Sequence, residues 1–378
     1  MQVDQPLALL GALSPAQFMK RYWHKKPLLI RQAIPGMQPL LERRALFELA
    51  AQDHVQSRLV IQQGGSAQAP WRLRHGPFAR RSLPPLKQPR WTLLVQSVDL
   101  LDARVQALRE QFRFVPDARL DDVMISYASD GGGVGPHFDS YDVFLLQAQG
   151  QRRWRIGRQK DLSLQAGMPL KILADFQPEQ EFLLEAGDML YLPPRYAHEG
   201  VAQGECMTFS IGFRAPEQAG LAQALLQVLA DHAAQAIAPK RYRDPGQVAA
   251  VHPAQIPNAL QAFARGALHQ ALREPDMLAR ALGEHLSEPA PAVWFDSPTR
   301  SGSLQYGVRL DRGTKMLYDA KHVFINGESF RASGRDAQLV RQLADQRFLD
   351  ARHCSRLSAG AAQLLVQWLG CGWLQALK

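Results

Sequence analysis

Cysteine is almost missing from this sequence: Cys206, Cys354 and Cys371 are the only three in 378 residues. They are odd in number and far apart, which excludes a disulfide framework and a thiolate zinc site and reads as three reduced thiols. Long apolar runs are missing too. Leu7 to Leu13 is too short to cross a bilayer and Asp4 stands where a signal peptide would carry base, so no membrane contact is expected and the cytoplasm is the expected compartment. No repeat or low-complexity tract occurs. Nor is there a long basic tail of the kind that grips nucleic acid. The formal charge is +9, but the basic residues stand in pairs, Lys25-Lys26, Arg43-Arg44, Arg80-Arg81 and Arg152-Arg153, which favours a solvated basic surface.

What is present is enough for a globular protein of two or three domains: 378 residues, 46% of them hydrophobic, exceed the usual size of one core. The most informative stretch is Gly131-Gly-Gly-Val-Gly-Pro-His137-Phe-Asp139. Strand positions two apart project to one side, so this spacing offers an imidazole and a carboxylate to a single ion. The glycines permit close backbone approach, and Pro136 fixes the start of the strand. A third ligand is expected at His198, where a short apolar strand breaks at Pro193-Pro194 and re-enters before Gly200. Two imidazoles and one carboxylate on one face of a metal leave the opposite face open, the arrangement of non-haem Fe(II) oxygenases. The nine other histidines show no ligand-like spacing and read as structural.

Along the chain, Ser14-Pro15 caps a helix through Arg21. A strand at Leu28–Ile30, a helix from about Leu40 to Ala51 and a strand at Arg58–Gln62 follow. Gly64–Pro70 and Ser82–Pro89 read as loops, Trp91–Val98 as a buried strand or helix start, and Val105–Phe112 as a helix. Strand character then dominates, over Val123–Tyr127, His137–Ala148, Arg152–Ile156, Glu181–Leu184, Asp188–Leu192 and Met207–Phe213. Short strands with Gly and Pro punctuation predict an antiparallel double sheet or barrel of the jelly-roll type. Beyond Pro216 the pattern turns helical, over Ala219–Ile237 and Ala259–Leu286, a pair that either packs on the sheet or supplies a dimer surface, the second being the favoured expectation. After the linker-like Glu288–Val293, short strands at Tyr306–Leu310, Lys315–Tyr318 and His322–Ile325, a hairpin turn at Asn326-Gly327, and helices over Asp336–Leu349 and Ala361–Leu377 fit a winged-helix module.

In Gly150-Gln-Arg152-Arg-Trp154-Arg-Ile156, alternation places Arg152 on the apolar face with Trp154 and Ile156. A guanidinium there is costly unless it meets an anion. With Gly150 making a hairpin turn, this strand returns beside the one carrying His137, and Arg152 faces a ligand carboxylate inside the barrel. The charges agree: a divalent ion with one aspartate carries one net positive charge, a dicarboxylate reverses it, and one arginine restores balance. Thr208, Ser210 and Ser126 alternate with large apolar residues and offer small hydroxyls on a sheet face with room for that ligand.

These residues resemble a known family. His137-x-Asp139, Arg152, His198 after Gly187-Asp188 and Pro193-Pro194, and Gly200 are similar to the Jumonji C-type 2-oxoglutarate oxygenases of the cupin superfamily. Met124-Ile-Ser-Tyr, the Gly-rich run, Tyr141-Asp-Val-Phe, Arg152-Arg-Trp-Arg and Ile211-Gly-Phe-Arg-Ala-Pro216 resemble, more narrowly, the bacterial ribosomal oxygenases that hydroxylate an arginine of a large-subunit ribosomal protein. The resemblance covers nearly the whole chain. It implies a mainly β catalytic domain over 1–215 (a double-stranded β-helix, or jelly roll), a helical dimerisation region over 216–290 giving a homodimer, and a small α+β winged-helix domain over 297–378. It further implies Fe(II) on His137, Asp139 and His198, 2-oxoglutarate against Ser126, Arg152 and Thr208, and a reaction that couples O2-driven decarboxylation of 2-oxoglutarate to hydroxylation. An arginine substrate calls for local acid, for which Asp130, Asp142 and Glu199 are candidates, while the positive surface elsewhere is expected to meet ribosomal RNA. Two other readings use the same residues. A cupin transcription regulator sensing a ligand and binding DNA through its winged helix predicts salt-dependent binding to defined duplexes. A zinc or manganese cupin isomerase or hydrolase leaves Arg152 without a purpose.

Overall fold

The computed structural model describes residues 2–64, 70–236, 239–273, 275–291, 293–296 and 302–377. The loop expected over 65–69, the helix end at Ile237 and the winged-helix start at 297 lie outside them. The chain divides into two compact units, 1–215 and 216–378.

In the first unit, Ser14 and Gln17 cap each other at the start of α1 (Pro15–Arg21): Gln17 N donates to Ser14 Oγ at 3.2 Å and Ser14 N to Gln17 Oε1 at 3.1 Å. This satisfies two donors that a helix start leaves bare. The second helix, α2 (Arg43–Ala50), is shorter than the sequence suggests, since Leu40 and Leu41 reach the core from irregular backbone; it buries Leu46, Phe47 and Ala50 along one stripe. Two short helices, α3 (Val98–Leu101) and α4 (Ala103–Glu110), precede the long central strands.

Nine strands form the sheet: β1 (Leu28–Ile30), β2 (Ser57–Gln62), β3 (Trp71–His75), β4 (Trp91–Val95), β5 (Leu120–Ala128), β6 (Val143–Gly157), β7 (Gln180–Leu184), β8 (Met189–Leu192) and β9 (Ala197–Phe213). Their order is β1-β8-β6-β9-β5-β4-β2-β3, with β7 also on β6, and every pairing is antiparallel. Along one edge of β6, β8 holds residues 143–146 and β7 holds 152–156, while β9 runs the length of the other edge. This is the jelly-roll architecture. One face carries the main core, with Phe144, Leu146, Phe209, Ile211, Ile125 and Tyr127 under the helices; the other holds a smaller apolar group of Val143, Leu145, Trp154, Ile156, Leu184, Leu190 and Leu192.

Three strand expectations change. The segments 137–148 and 152–156 are not two strands joined at Gly150 but parts of β6, which begins only at Val143. Gly150 is a bulge residue with φ +64°, and a Cβ there would lie 2.2 Å from the Glu205 carbonyl oxygen of β9. A glycine in this conformation serves a bulge as readily as a turn. The third strand expected from Met207 starts ten residues earlier, at Ala197. The edge strand β3 has no counterpart in the sequence reading, because Trp-Arg-Leu-Arg-His is short, charged and largely exposed.

The second unit begins with α5 (Gln218–Ala236), α6 (Asn258–Arg273) and α7 (Pro275–Ser287). The single helical region expected over 259–286 is thus two helices, with Pro275 opening the second, where a proline's missing N–H costs nothing. Beyond lie two three-stranded sheets and three helices. One sheet joins β10 (Gly307–Leu310) to β14 (Phe348–Asp350) and β15 (Leu374–Ala376); the other runs β11 (Met316–Tyr318), β12 (His322–Ile325) and β13 (Glu328–Arg331). At the β12–β13 hairpin, Asn326 (φ +49°) and Gly327 (φ +88°) form the two-residue turn that their types favour. The helix expected to reach Leu349 is α8 (Gly334–Gln346), ended by Arg347 at φ +61°, so that Leu349 is buried in β14. After α9 (Ala351–Cys354), the helix expected to reach Leu377 is α10 (Ala359–Gly370), stopped at Gly370-Cys-Gly372 before β15. Val308, Leu310, Ile325, Leu343, Leu365 and Trp368 form the core.

Candidate metal centre

His137 and His198 are tied to each other by their own backbones. His137 N donates to His198 O at 2.9 Å and His198 N to His137 O at 2.8 Å, a single bridge outside any regular strand at His137. Asp139 O accepts from Arg195 N at 2.7 Å, which anchors the other end of the loop. The local chain needs its glycines for this. A Cβ on Gly133 would lie 2.6 Å from Gly200 O, and one on Gly132 2.5 Å from Trp91 O. Alternation along a strand was therefore the wrong reason for a correct juxtaposition, since 137–139 is a loop pinned at both ends.

The ligand atoms of His137, Asp139 and His198 lie within 4.8 Å of one another, with His198 Nε2 3.7 Å from Asp139 Oδ2. Both rings are oriented through Nδ1, which faces Gly135 O at 3.0 Å in His137 and Tyr196 O at 2.9 Å in His198. A carbonyl accepts only from an N–H, so these contacts fix the proton on Nδ1 and turn the Nε2 lone pairs toward the common point. Burial, reinforced by the neighbouring His137, pulls the His198 pKa down to about 4 against the opposing pull of Asp139. That ring is neutral at physiological pH, the state a metal requires. Trp154 packs on it at 5.9 Å between ring centres, and Gly200 leaves the space the indole occupies.

Arg152 is on the same face. It stands opposite Ala202 and Leu184, two residues along from Trp154 opposite Gly200 and four from Ile156 opposite His198. Its guanidinium lies 5.7 Å over the Trp154 ring. Arg152 is 5% exposed, and its Nε and Nη2 have no hydrogen-bond partner. A buried, charged, unsatisfied donor pair is expensive, and it fits an incoming carboxylate. Ser126, Thr208 and Gln147 face one another across β5, β9 and β6. Thr208 Oγ1 donates to Gln147 Oε1 at 2.9 Å and Ser126 Oγ to Thr208 O at 3.4 Å. The sequence reading missed Gln147, although its alternation with Val143 and Leu145 marks the same face.

The acids proposed to attract a cation are engaged elsewhere. Asp142 is fully buried, accepts from Tyr191 Oη at 2.6 Å and meets His24 Nε2 at 2.9 Å; burial raises its pKa. Glu199 is bound by Arg155, and Asp130 accepts from Gly204 N at 2.8 Å. Asp139, Asp122 and Asp121 act on Tyr141, whose phenol burial and those carboxylates push upward; Asp121 is itself paired with Arg214 Nε at 2.8 Å. Asp122 is largely enclosed, its pKa raised to about 6 by burial and by Asp99 and Asp121, while Oδ2 accepts from Ser97 N at 2.7 Å.

Comparison with known proteins gives a consistent picture. Residues 107–221 match the JmjC domain and residues 267–375 the ROXA-like winged helix. The chain is 33% identical over 331 residues to the ribosomal protein uL16 3-hydroxylase of Escherichia coli, covering 85% of this chain and 86% of that one. The X-ray structure of E. coli YcfD superposes with a TM-score of 0.82 at 29% identity, over 95% of this chain and 97% of that one. A structure of the E. coli ribosomal oxygenase YcfD with cobalt and 2-oxoglutarate gives 0.79 at 29% identity over the same shares.

Proposed function

Because the chain belongs to the JmjC-domain ribosomal oxygenases that carry a ROXA-like winged helix, we propose that it is an Fe(II)- and 2-oxoglutarate-dependent hydroxylase of an arginine side chain in a large-subunit ribosomal protein. The observation that carries this reading is the buried, unpartnered guanidinium of Arg152 on the face that bears His198.

His137, Asp139 and His198 would hold the ion through two neutral imidazoles and one carboxylate, a donor set suited to Fe(II) with positions left open. When bound, the metal with 2-oxoglutarate and O2 supplies the oxidising chemistry. The chain's own residues bind and aim. Arg152 would take the far carboxylate of 2-oxoglutarate through Nε and Nη2, the geometry in which a guanidinium grips best. Ser126 and Thr208 would line the same pocket, with Gln147 holding the threonine hydroxyl in place. Trp154, in contact with both Arg152 and His198, would limit water between clamp and ligands.

An arginine substrate is supported by the carboxylates around Tyr141. Burial and the neighbouring Asp99 and Asp121 disfavour the charged form of Asp122, and an arriving guanidinium would offset that penalty. A homodimer is supported by α6, where Leu260, Leu268 and Leu272 lie exposed along one row of i+4 positions. Among the described residues no helix is long and apolar enough to cross a membrane, and we place the enzyme in the cytoplasm with its ribosomal substrate.

The test is incubation of the iron-loaded protein with ribosomal proteins, 2-oxoglutarate and O2, followed by peptide mass spectrometry. One added oxygen on an arginine, dependent on 2-oxoglutarate, is expected. Oxygen on another residue type would end the arginine assignment; none, with iron demonstrably bound, would end the reading.

A further inference from the structure

The positive charge of this chain is concentrated in one place. From His54 to Val98 there are seven Lys and Arg residues and no Asp or Glu, leaving 37 basic against 35 acidic residues in the rest. That one stretch therefore holds most of the formal +9. Arg80-Arg81 looks like an isolated pair in the sequence, but folding adds neighbours to it.

The described residues of this stretch form the end of the sheet, where β3, among the described residues, pairs with β2 alone. Arg72 and Arg74 stand two apart on β3, opposite Ile61 and Leu59, and so share a face. Arg74 Nη1 donates to Ser82 O at 3.1 Å and its guanidinium lies over Phe78, which brings the 80–82 turn with Arg80 and Arg81 alongside. At the other end of the hairpin, Gln62 N donates to Arg90 O at 3.0 Å. Arg90 borders Gly131, and Trp71 packs against Gly135, two residues before His137. The band thus runs from the outer edge to the metal loop. Arg72, Arg74, Arg80, Arg81 and Lys87 are exposed, and none of the seven basic residues enters an ion pair among the described residues.

Protection of an edge strand from pairing needs charge, but either sign, or a mixture, serves that purpose. A single-sign surface repels itself and is favourable only when a polyanion covers it. We propose that this edge, centred on Arg72, Arg74 and Arg81, binds the phosphate backbone of RNA and so brings RNA-associated substrate to the metal loop. The charge argument is independent of the oxygenase reading; the choice of RNA as the polyanion rests on it.

The test uses metal-free full-length protein and a fluorescently labelled single-stranded RNA of mixed sequence, with anisotropy read across a salt series. The triple variant Arg72→Ser/Arg74→Ser/Arg81→Ser should bind at least about tenfold more weakly, with a log–log salt slope shallower by roughly two, at ~0.7 per lost phosphate contact. Its turnover of an isolated peptide, measured on the iron-loaded form, should match wild type, which separates this surface from the active site. Unchanged RNA affinity in the variant would overturn the proposal. Tighter binding to duplex DNA of equal length would overturn RNA as the ligand, and tighter binding to polyglutamate would overturn nucleic acid altogether. Absence of peptide turnover by iron-loaded wild type that binds RNA would count against the oxygenase reading alone.

Discussion

His137 and His198 exchange backbone hydrogen bonds at 2.9 and 2.8 Å, and their rings lie 4.2 Å apart between centres. The main chain, before any ion, sets the distance between two of the three proposed metal ligands. The following outcomes depend on that arrangement and on the groups around it.

Asp139→Ala removes the one anionic donor and leaves two imidazoles. Metal affinity should fall by more than about 100-fold, beyond the loss typical of an outer partner, and 2-oxoglutarate consumption should cease. Metal titration calorimetry and NMR of the co-substrate would measure both; retained turnover would remove Asp139 from the site.

Arg152→Met tests the anion clamp. Loss of a two-pronged charged contact at about 3 kcal/mol corresponds to roughly a 100-fold rise in the dissociation constant for 2-oxoglutarate. Stability of the ligand-free protein should hold or increase, because the variant no longer buries an unpaired charge. Thermal melts with and without 2-oxoglutarate would show the ligand stabilising wild type only.

Asp122 should leave a signature in stability against pH. Its folded pKa of about 6 lies above the 3.8 of a free carboxyl, so the folded state binds more protons between the two values. Stability from this group is complete below about 4 and is lost as pH rises through about 6, by an amount on the order of 3 kcal/mol. Asp122→Asn should flatten that window in urea melts taken at successive pH values; an identical slope in wild type and variant would contradict the assignment.

Gly200→Ala places a methyl 2.7 Å from two Trp154 ring carbons. The indole must move off His198, at a cost of about 1–3 kcal/mol, and metal affinity should weaken although no ligand has changed. Trp154→Phe in the same background gives the methyl room and should recover part of both.

Leu268→Asp with Leu272→Asp places charge on the exposed row of α6. Size-exclusion chromatography with light scattering is expected to report a dimer for wild type and a monomer for the variant, with peptide turnover retained. A dimer that survives both changes would move the interface elsewhere.

Much of the site is legible in the sequence because its chemistry restricts residue type. Few side chains ligate Fe(II), and an arginine among Trp154, Ile156 and the other apolar residues of a strand has few purposes. Gln147 escaped notice because a glutamine within a strand reads equally as solvent-facing. Asp142 misled because proximity in sequence to Asp139 says nothing about direction: three residues on, the chain has turned into the core, where Tyr191 and His24 enclose it. The fold follows the same logic. Long alternating segments such as β5 carry their own signal, whereas β3 lacks an apolar stripe. Whether Gly150 turns the chain or only bends it is decided by Glu205, a residue 55 positions away that no local pattern contains.

The unbroken course of β6 past Gly150 has a consequence for ligand choice. Arg152 sits on that strand and His198 on its neighbour, offset by the four-position step from His198 to Ala202, a span that strand rise sets at about 13 Å along the backbone. A diacid anchored at both ends is therefore gauged against covalently spaced backbone rather than a closing lid. Diacids one methylene shorter or longer are expected to bind more weakly, which competition against 2-oxoglutarate would measure.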